Sequence, residues 1–509
     1  MSKQIRVRKS GLITFAIRLG SALTGFAFVV LVTSNLAPTD FGLWQLISRV
    51  IGYVIFVINI PQFWTVRYRA RGTILGKTLL VECALFSAVL SVVYVIVSIA
   101  LAGAIYGSYA ANLYFLLIST PQIPLYIFIL ALEAILWGSS PEKASYGFGI
   151  FEIAKVVVGG VSVAVLHLGL TGAILAVTGA QVVQLGVTLY LTRHEFSDKI
   201  SFEIISRMLR NGWLAILNLT GTFVSNFDVL LVALLTGAIS KNVIAFYAAA
   251  FAYASIITYS SWIAYGLYAG ILSGIDARKS ANQILELQYL FTAPMVLGEI
   301  ILASPLLHIF KQNYSLAAPV LTILAVASAF NAISLTFDNI ITGTDTTDTS
   351  SDASFSTYLG SKMFFVAKIN LAISVVYLVA VSFVSYLFSS GGPTIFGVER
   401  EIFIGILWAG AALGMWVVAV ILKLRVVRQI TKLTIPARNA VSILLGSVGF
   451  GAVLELLSRQ IAIHGGSVVQ AMYILGMGAV ALGVYTAIVL AISPELRNLT
   501  KLALSNLRG

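Results

Sequence analysis

The chain has 509 residues, of which 59% are hydrophobic and 10% are charged, and its formal net charge is +12. Soluble domains carry about a quarter charged residues, so this composition excludes a soluble protein and indicates a polytopic membrane protein. The single cysteine, Cys83, excludes an internal disulfide and a cysteine metal cluster. We expect no nucleic-acid partner, because the distribution of the positive charge along the chain is explained by membrane topology.

Apolar segments long enough to cross a bilayer recur along the whole chain, since one transmembrane helix needs about 20 mostly apolar residues. We predict an all-α polytopic membrane protein with about fourteen transmembrane helices. The predicted spans, numbered one to fourteen in this order, are 11–34, 43–65, 79–106, 113–137, 148–166, 169–192, 212–236, 243–274, 285–305, 318–341, 363–389, 402–422, 439–457 and 469–492.

The basic residues follow the alternation of these spans. With the N-terminus placed in the cytoplasm, the inner segments contain 24 of the 32 Lys and Arg residues, and the outer loops contain 4. Lys and Arg concentrate in cytoplasmic loops of membrane proteins. The sequence therefore predicts a multi-pass protein of the cytoplasmic (plasma) membrane with both termini in the cytoplasm.

Two inner segments, 196–211 and 423–438, mix basic and apolar residues at helical spacing, which is typical of helices that lie along a membrane surface. Shifting the chain by 201 residues superposes span seven on span one, with Gly20 on Gly221. Because repeats of six spans keep the same orientation, we predict two parallel six-helix lobes plus two extra C-terminal helices. The predicted parts are an N-terminal lobe (1–195), an inner amphipathic linker (196–211), a C-terminal lobe (212–422), a second linker (423–438), and two additional helices with a tail (439–509). The polar, acidic loop 343–361 is predicted to be mobile.

Each of the first two spans carries one arginine, Arg18 and Arg49. A guanidinium group inside hydrocarbon is costly unless it faces a wet cavity or a partner. On a helix Arg18 shares a face with Ser21, and Arg49 shares one with Gln45. One interpretation is a polar cavity for an anion, with Arg18 as an inner and Arg49 as an outer phosphate site, because arginine can hold phosphate oxygens with two donors. The alternative is that both long side chains reach the membrane interface.

The turn LAPTDFGLWQLI (36–47), the pair Phe227-Asp228 in span seven and the segment AFYAAA (245–250) at the start of span eight are similar to motifs of a known family. They resemble the oligosaccharide flippases of the multidrug/oligosaccharidyl-lipid/polysaccharide exporter superfamily. The resemblance implies a flippase that moves isoprenoid (pyro)phosphate-linked oligosaccharide by alternating access, and Arg18 and Arg49 match the family's cavity arginines. The implied partners are the lipid-linked oligosaccharide, membrane lipids and glycan-assembly enzymes.

Span eight has no arginine of the kind some relatives use, and offers tyrosines such as Tyr247 and Tyr253. Tyrosines suit sugar rings, although packing and interfacial anchoring are the alternative. Asp228 has three open interpretations: a pair with Arg49 that closes the outside, a site for a coupling cation, or hydrogen bonding among helices. Glu152 and Lys155 are three residues apart and are predicted to form a local ion pair.

Three other charged side chains, Glu133, Asp338 and Lys368, lie near predicted inner ends of spans and are expected to reach the interface.

We expect no enzymatic activity, no cofactor and no metal site. The longest outer loops contain only two acidic residues, Glu399 and Glu401, and the four histidines are widely separated. The chain has no Gly-rich phosphate-binding loop of the ATPase type. Two alternatives to the flippase remain: a cation-coupled small-molecule or drug exporter on the same fold, and a non-transport membrane enzyme or assembly scaffold.

Overall fold

The computed structural model is almost entirely α-helical, which confirms the predicted all-α membrane fold class. The structure describes residues 13–494 and 497, with gaps at 19, 22–23, 26, 29–30, 33–34, 37, 105–107, 237–238, 274–276, 311, 348–354, 391, 432, 434–435 and 460–466. Some side chains inside helices also lie outside the described part, Gln45 and Arg49 among them.

The chain divides into two compact units: unit 1 comprises Met1–Ile216 and Tyr268–Ile275, and unit 2 comprises Leu217–Leu267 and Asp276–Gly509. In unit 1 the described residues between 13 and 35 are helical. The helices that follow are α1 Pro38–Ile55, α2 Asn59–Ala70, α3 Gly76–Ala104, α4 Tyr109–Ile118, α5 Gln122–Ser139, α6 Pro141–Gly159, α7 Gly169–Thr192 and α8 Phe202–Arg210.

The later helices are α9 Gly212–Ser225, α10 Asp228–Thr236, α11 Ser240–Ile257, α12 Ile263–Leu272, α13 Ala277–Ile301, α14 Ala303–His308, α15 Ala318–Gly343, α16 Phe355–Leu359, α17 Lys362–Leu387, α18 Arg400–Ile430, α19 Ala437–Ser458 and α20 Ser467–Ile492. A short antiparallel hairpin of β1 Thr394–Ile395 and β2 Val398–Glu399 precedes α18. Its tight turn places Phe396 and Gly397 at positive φ.

Within the described residues, twelve helical segments are long and apolar enough to cross a membrane. They correspond to predicted spans two to six and eight to fourteen, so the protein is a multi-pass membrane protein. Span one runs over residues outside the described part. Span seven is divided at Asn226-Phe227 into the two short helices α9 and α10, so it is not one continuous spanning helix as predicted. The total of about fourteen stays a prediction.

The two predicted inner linkers differ in the structure. Segment 196–211 contains the short helix α8, which buries Ile205 and Met208 and exposes Phe202 and Leu209, as an amphipathic surface helix does. Residues 423–430 of the second segment form the last two turns of α18, so they are not a separate surface helix. In loop 343–361, residues 348–354, where mobility was predicted, lie outside the described residues.

Each unit contains one helix that is buried or half-buried on nearly every side. In unit 1 this is α5, where residues 131–138 are all buried. A helix that is hydrophobic all round belongs in the centre of a bundle. In unit 2, α15 packs along α18 through small residues, and Gly405 of α18 lies against Val320 of α15. Small residues allow membrane helices to approach closely.

Candidate functional site

The charged and polar side chains of unit 1 gather around Arg18. Its guanidinium carbon lies 3.7 Å from the ring centroid of Phe148 on α6 and 6.0 Å from that of Trp137 on α5. The guanidinium also interacts electrostatically with the Glu133 carboxylate on α5. Aromatic faces attract a cation, most strongly where water is excluded. Arg18 therefore faces other helices of its own unit.

Glu133 is buried, at 5% exposure, and the expectation that it reaches the interface is wrong. Its Oε1 accepts a hydrogen bond from Gln184 Nε2 of α7 at 2.8 Å. Gly147 of α6 makes room for this contact: an added Cβ there would lie 3.8 Å from Glu133 Oε1 and 3.1 Å from Thr188 Oγ1. A buried carboxylate needs hydrogen bonds or an opposite charge, and this one has both.

The predicted ion pair between Glu152 and Lys155 is confirmed, with Lys155 Nζ 2.8 Å from Glu152 Oε1. The ammonium also lies 5.2 Å and 5.0 Å from the ring centroids of Phe28 and Phe151. Both charged side chains are largely buried, at 14% and 8% exposure. The pair thus lies among helices of unit 1, like Arg18.

The other predicted site residues of unit 1 are less informative. Ser21 is 8% exposed, and its hydroxyl donates to the Ile17 carbonyl at 2.8 Å, one turn earlier. This local bond occupies the donor of the hydroxyl. The side chains of Gln45 and Arg49 lie outside the described residues, so their predicted roles, including a pair of Arg49 with Asp228, stay predictions.

In unit 2 the central group is Asp228, at the start of α10. Its Oδ2 accepts hydrogen bonds from Tyr377 Oη of α17 at 2.5 Å and from Trp408 Nε1 of α18 at 3.3 Å. Its Oδ1 accepts from the Val229 amide at 2.7 Å. Of the three interpretations for Asp228, the structure shows hydrogen bonding among helices. The resulting network of Asp228, Tyr377 and Trp408 is called the aspartate–aromatic cluster below.

The two predicted tyrosines of span eight have different surroundings. Tyr247 of α11 stacks on Trp408, with ring centroids 3.6 Å apart and an interplanar angle of 6°, and so belongs to the edge of the aspartate–aromatic cluster. Tyr253 donates to the Leu306 carbonyl at 2.8 Å, and its ring lies 5.2 Å from that of Phe310. These contacts give Tyr253 a packing role next to α14.

Sequence reasoning missed a second buried charge in unit 2. Lys423 and Asp338 were expected at the inner membrane surface, whereas Lys423 Nζ lies 2.8 Å from Asp338 Oδ1 and the lysine side chain is 1% exposed. Lys368, by contrast, is exposed. Tyr377, Trp408 and Gln184 were also missed, because a lone aromatic or amide residue in an apolar span has no pattern that marks it.

An open apolar groove of about 500 Å³ lies between α10 and α17, lined by Leu235, Val379, Phe383 and neighbouring residues. Such a lining is typical of a surface covered by lipid tails. Among the described residues, no group of three His, Cys, Asp or Glu side chains is placed to hold a metal ion. The polar clusters around Arg18 and Asp228 are therefore the candidate functional residues.

No protein-family model matches the chain, and no curated protein sequence matches it. Solved structures do match. One, a MATE in complex with MaD3S, has a TM-score of 0.63 and 15% identity, covering 84% of this chain and 97% of that chain. A second, the outward-facing conformation of a multidrug resistance MATE family transporter of the MOP superfamily, has a TM-score of 0.62 and 14% identity over the same shares. A third, a MATE in the bent conformation, has a TM-score of 0.59 and 15% identity, covering 84% and 98%.

At these identities the likeness shows the fold: the chain has the MATE-type arrangement of membrane helices.

Proposed function

We propose that the protein is a flippase that moves an isoprenoid (pyro)phosphate-linked oligosaccharide across the cytoplasmic membrane by alternating access. The fold supports this proposal, because the solved structures that share it are transporters, one of them in an outward-facing conformation. Paired lobes of membrane helices that rock around a central site are a general plan for transporters.

The observation that carries the proposal is the position of the Arg18 guanidinium. It is stacked on Phe148 at 3.7 Å, inside a unit of an apolar protein. A stacked guanidinium keeps its charge and its in-plane N–H groups, which match phosphate oxygens in pairs. Glu133 also accepts a hydrogen bond from Gln184, so its carboxylate keeps a partner when a substrate phosphate attracts Arg18. Arg18 is therefore suited to hold and release an anion.

Several finer statements belong to the same proposal. Arg49, Gln45 and Ser21 would line the phosphate path, and Tyr247 would border the sugars. Both termini would lie in the cytoplasm, and glycan-assembly enzymes would supply and consume the lipid-linked substrate. The chain itself would perform no covalent chemistry.

A cation-coupled drug exporter is a second candidate, and the aspartate–aromatic cluster is the observation that favours it. Asp228 is a carboxylate surrounded by Tyr377, Trp408 and, at the edge, Tyr247. A carboxylate among aromatic rings suits an organic cation, through charge and cation–π attraction. One of the matching solved structures is a multidrug resistance transporter.

The test uses the purified full-length protein in vesicles that contain an isoprenoid pyrophosphate-linked oligosaccharide. Flipping is measured as the rate at which the glycan becomes accessible to a membrane-impermeant reagent. We expect Arg18→Ala to lower the rate about 10-fold, since a hydrogen bond to a charged group contributes roughly 1.5–3 kcal/mol. Lys368→Ala, which removes an exposed cation of α17, is the matched control and should leave the rate unchanged.

An Arg18→Ala protein that is present at wild-type level and flips at the wild-type rate would contradict the flippase proposal. Efflux of a cationic dye that is lost in Asp228→Asn and kept in Arg18→Ala would instead support the drug exporter.

A further inference from the structure

A buried ion pair lies inside the helix bundle of unit 2. Lys423 of α18 is 0% exposed, and its Nζ is 2.8 Å from both carboxylate oxygens of Asp338 on α15. The same ammonium donates to Ser334 Oγ at 2.7 Å, one turn earlier on α15. Asn370 of α17 donates to Asp338 Oδ2 at 3.3 Å. Three helices therefore meet at one carboxylate.

The ammonium of Lys423 is held by carboxylate and hydroxyl oxygens. It has three donors, and three oxygens, from Asp338 and Ser334, lie within 2.8 Å of it. A positive charge enclosed by carboxylate and hydroxyl oxygens is also the environment that hard metal cations prefer. Lys423 differs from a free ion in being tethered, so it competes for the carboxylate at a high effective concentration.

Two asparagine side chains, one on α15 and one on α17, carry further buried acceptor oxygens. Asn331 Oδ1 and Asn370 Oδ1 are buried without a hydrogen-bond partner among the described residues. Asn331, Ser334 and Asp338 are spaced by three and four residues, so they share one face of α15. Buried acceptors are nearly always satisfied in native proteins. The Asp338 side chain is 17% exposed, and its Oδ1 atom is buried.

We propose that Lys423 is the resident cation of a monovalent-cation site whose oxygen ligands come from Asp338, Ser334 and Asn370. With the charged amine in place, Na⁺ does not bind. Without the amine, Asp338 is a buried carboxylate that lacks its counter-charge, and Na⁺ takes the position of the ammonium. Binding or exclusion of Na⁺ here does not depend on which substrate the protein transports.

The test compares purified full-length proteins in detergent, in NaCl and in choline chloride of equal ionic strength. Thermal unfolding and direct binding of ²²Na⁺ are both measured. We expect the wild-type protein to have the same Tm in both salts and to bind no ²²Na⁺. Lys423→Ala should bind ²²Na⁺ and should have a higher Tm in NaCl, in a saturable way, because a ligand that binds only the folded state stabilises it.

Two variants serve as matched controls. Lys423→Arg keeps a positive charge beside Asp338 and should not bind ²²Na⁺. The double variant Lys423→Ala/Asp338→Asn removes both charges, so its site lacks the negative charge that attracts a cation, and it too should not bind.

Two results would overturn the proposal. The first is a folded Lys423→Ala protein that binds no ²²Na⁺. If Lys423→Ala does not fold, the same ²²Na⁺ binding measurement is made on Lys423→Met, which keeps the volume of the side-chain stem. The second result is obtained without a lysine variant. It is a saturable, Na⁺-specific rise in the Tm of the wild-type protein, together with the loss of that rise in Asp338→Asn. In that case Asp338 holds Na⁺ beside the lysine, and the ammonium is not the resident cation.

Discussion

Each of the two units contains a buried carboxylate, and the two carboxylates are stabilised in different ways. In unit 1, Glu133 of α5 is paired with Gln184 of α7, and in unit 2, Asp338 of α15 is paired with Lys423 of α18. The shift of 201 residues that superposes span seven on span one also pairs Glu133 with Ser334 and Trp137 with Asp338. Under that shift the positions of the two carboxylates differ by one helical turn.

The difference concerns which helix supplies the positive charge. In unit 2 it comes from Lys423 on α18, at 2.8 Å and fully buried. In unit 1 the hydrogen bond from α7 comes from the neutral amide of Gln184, and the charge comes from Arg18, in the first helical segment. A direct buried ion pair connects the two helices of unit 2, whereas the Arg18 guanidinium also lies over the face of Phe148. This difference agrees with the proposals made above, an anion site at Arg18 in unit 1 and a cation site at Lys423 in unit 2.

Removing one member of the ion pair in unit 2 should have the largest effect on stability. In sodium-free choline buffer, Lys423→Met leaves Asp338 buried without its counter-charge and should lower the free energy of unfolding by about 3–5 kcal/mol. The double variant Lys423→Met/Asp338→Asn should recover most of this loss, because no buried charge remains. Thermal unfolding of the purified proteins measures both. Equal losses in the single and double variants would show that the contribution of the pair is packing rather than charge.

The glycines related by the same shift provide a second test. A Cβ at Gly221 on α9 would lie 2.8 Å from the backbone oxygen of Asn370, whereas a Cβ at Gly20 would have no atom of the described residues within 4 Å. Gly221→Ala should therefore destabilise the protein by about 1–3 kcal/mol through overpacking. Gly20→Ala is the matched control and should be neutral or slightly stabilising, because Ala favours helices over Gly. A Gly221→Ala protein with the wild-type Tm would mean that α9 does not lie so close to α17.

The smallest effect is expected for the carboxylate of unit 1. Glu133→Gln keeps a side chain that can hydrogen-bond to Gln184 and removes only the charge, so it should cost about 1 kcal/mol or less. Asp338→Asn, which strands a buried lysine, should cost several times more. The two variants are compared by thermal unfolding in the same buffer. If their Tm values fall equally, the contrast between the units is wrong.

Local charge pairs were predictable from the sequence, and distant ones were not. Glu152 and Lys155 are three residues apart on one helix, so helical geometry alone brings them together. Asp338 and Lys423 are on α15 and α18, far apart in the chain. The topology predicted from the sequence placed both at the inner membrane surface. Only the continuation of α18 beyond the predicted end of its span brings Lys423 into the bundle.

The aspartate–aromatic cluster shows the same limit. Asp228 stood out in the sequence because a carboxylate is rare in an apolar span. Its partners Tyr377 and Trp408 did not, since the chain contains 21 tyrosines and 7 tryptophans and aromatic residues are ordinary in membrane helices. Three helices had to pack together before the hydroxyl and the indole could reach the carboxylate.

The sequence by itself determined that this is an all-α membrane protein and where twelve of its spans lie. It could do so because the thickness of the bilayer imposes a length and an apolar composition on each helix separately. The tertiary structure decided which cation meets which carboxylate, and whether an arginine or lysine points to lipid, water or another helix. Those outcomes depend on contacts between helices that are distant in the chain, and no local pattern encodes them.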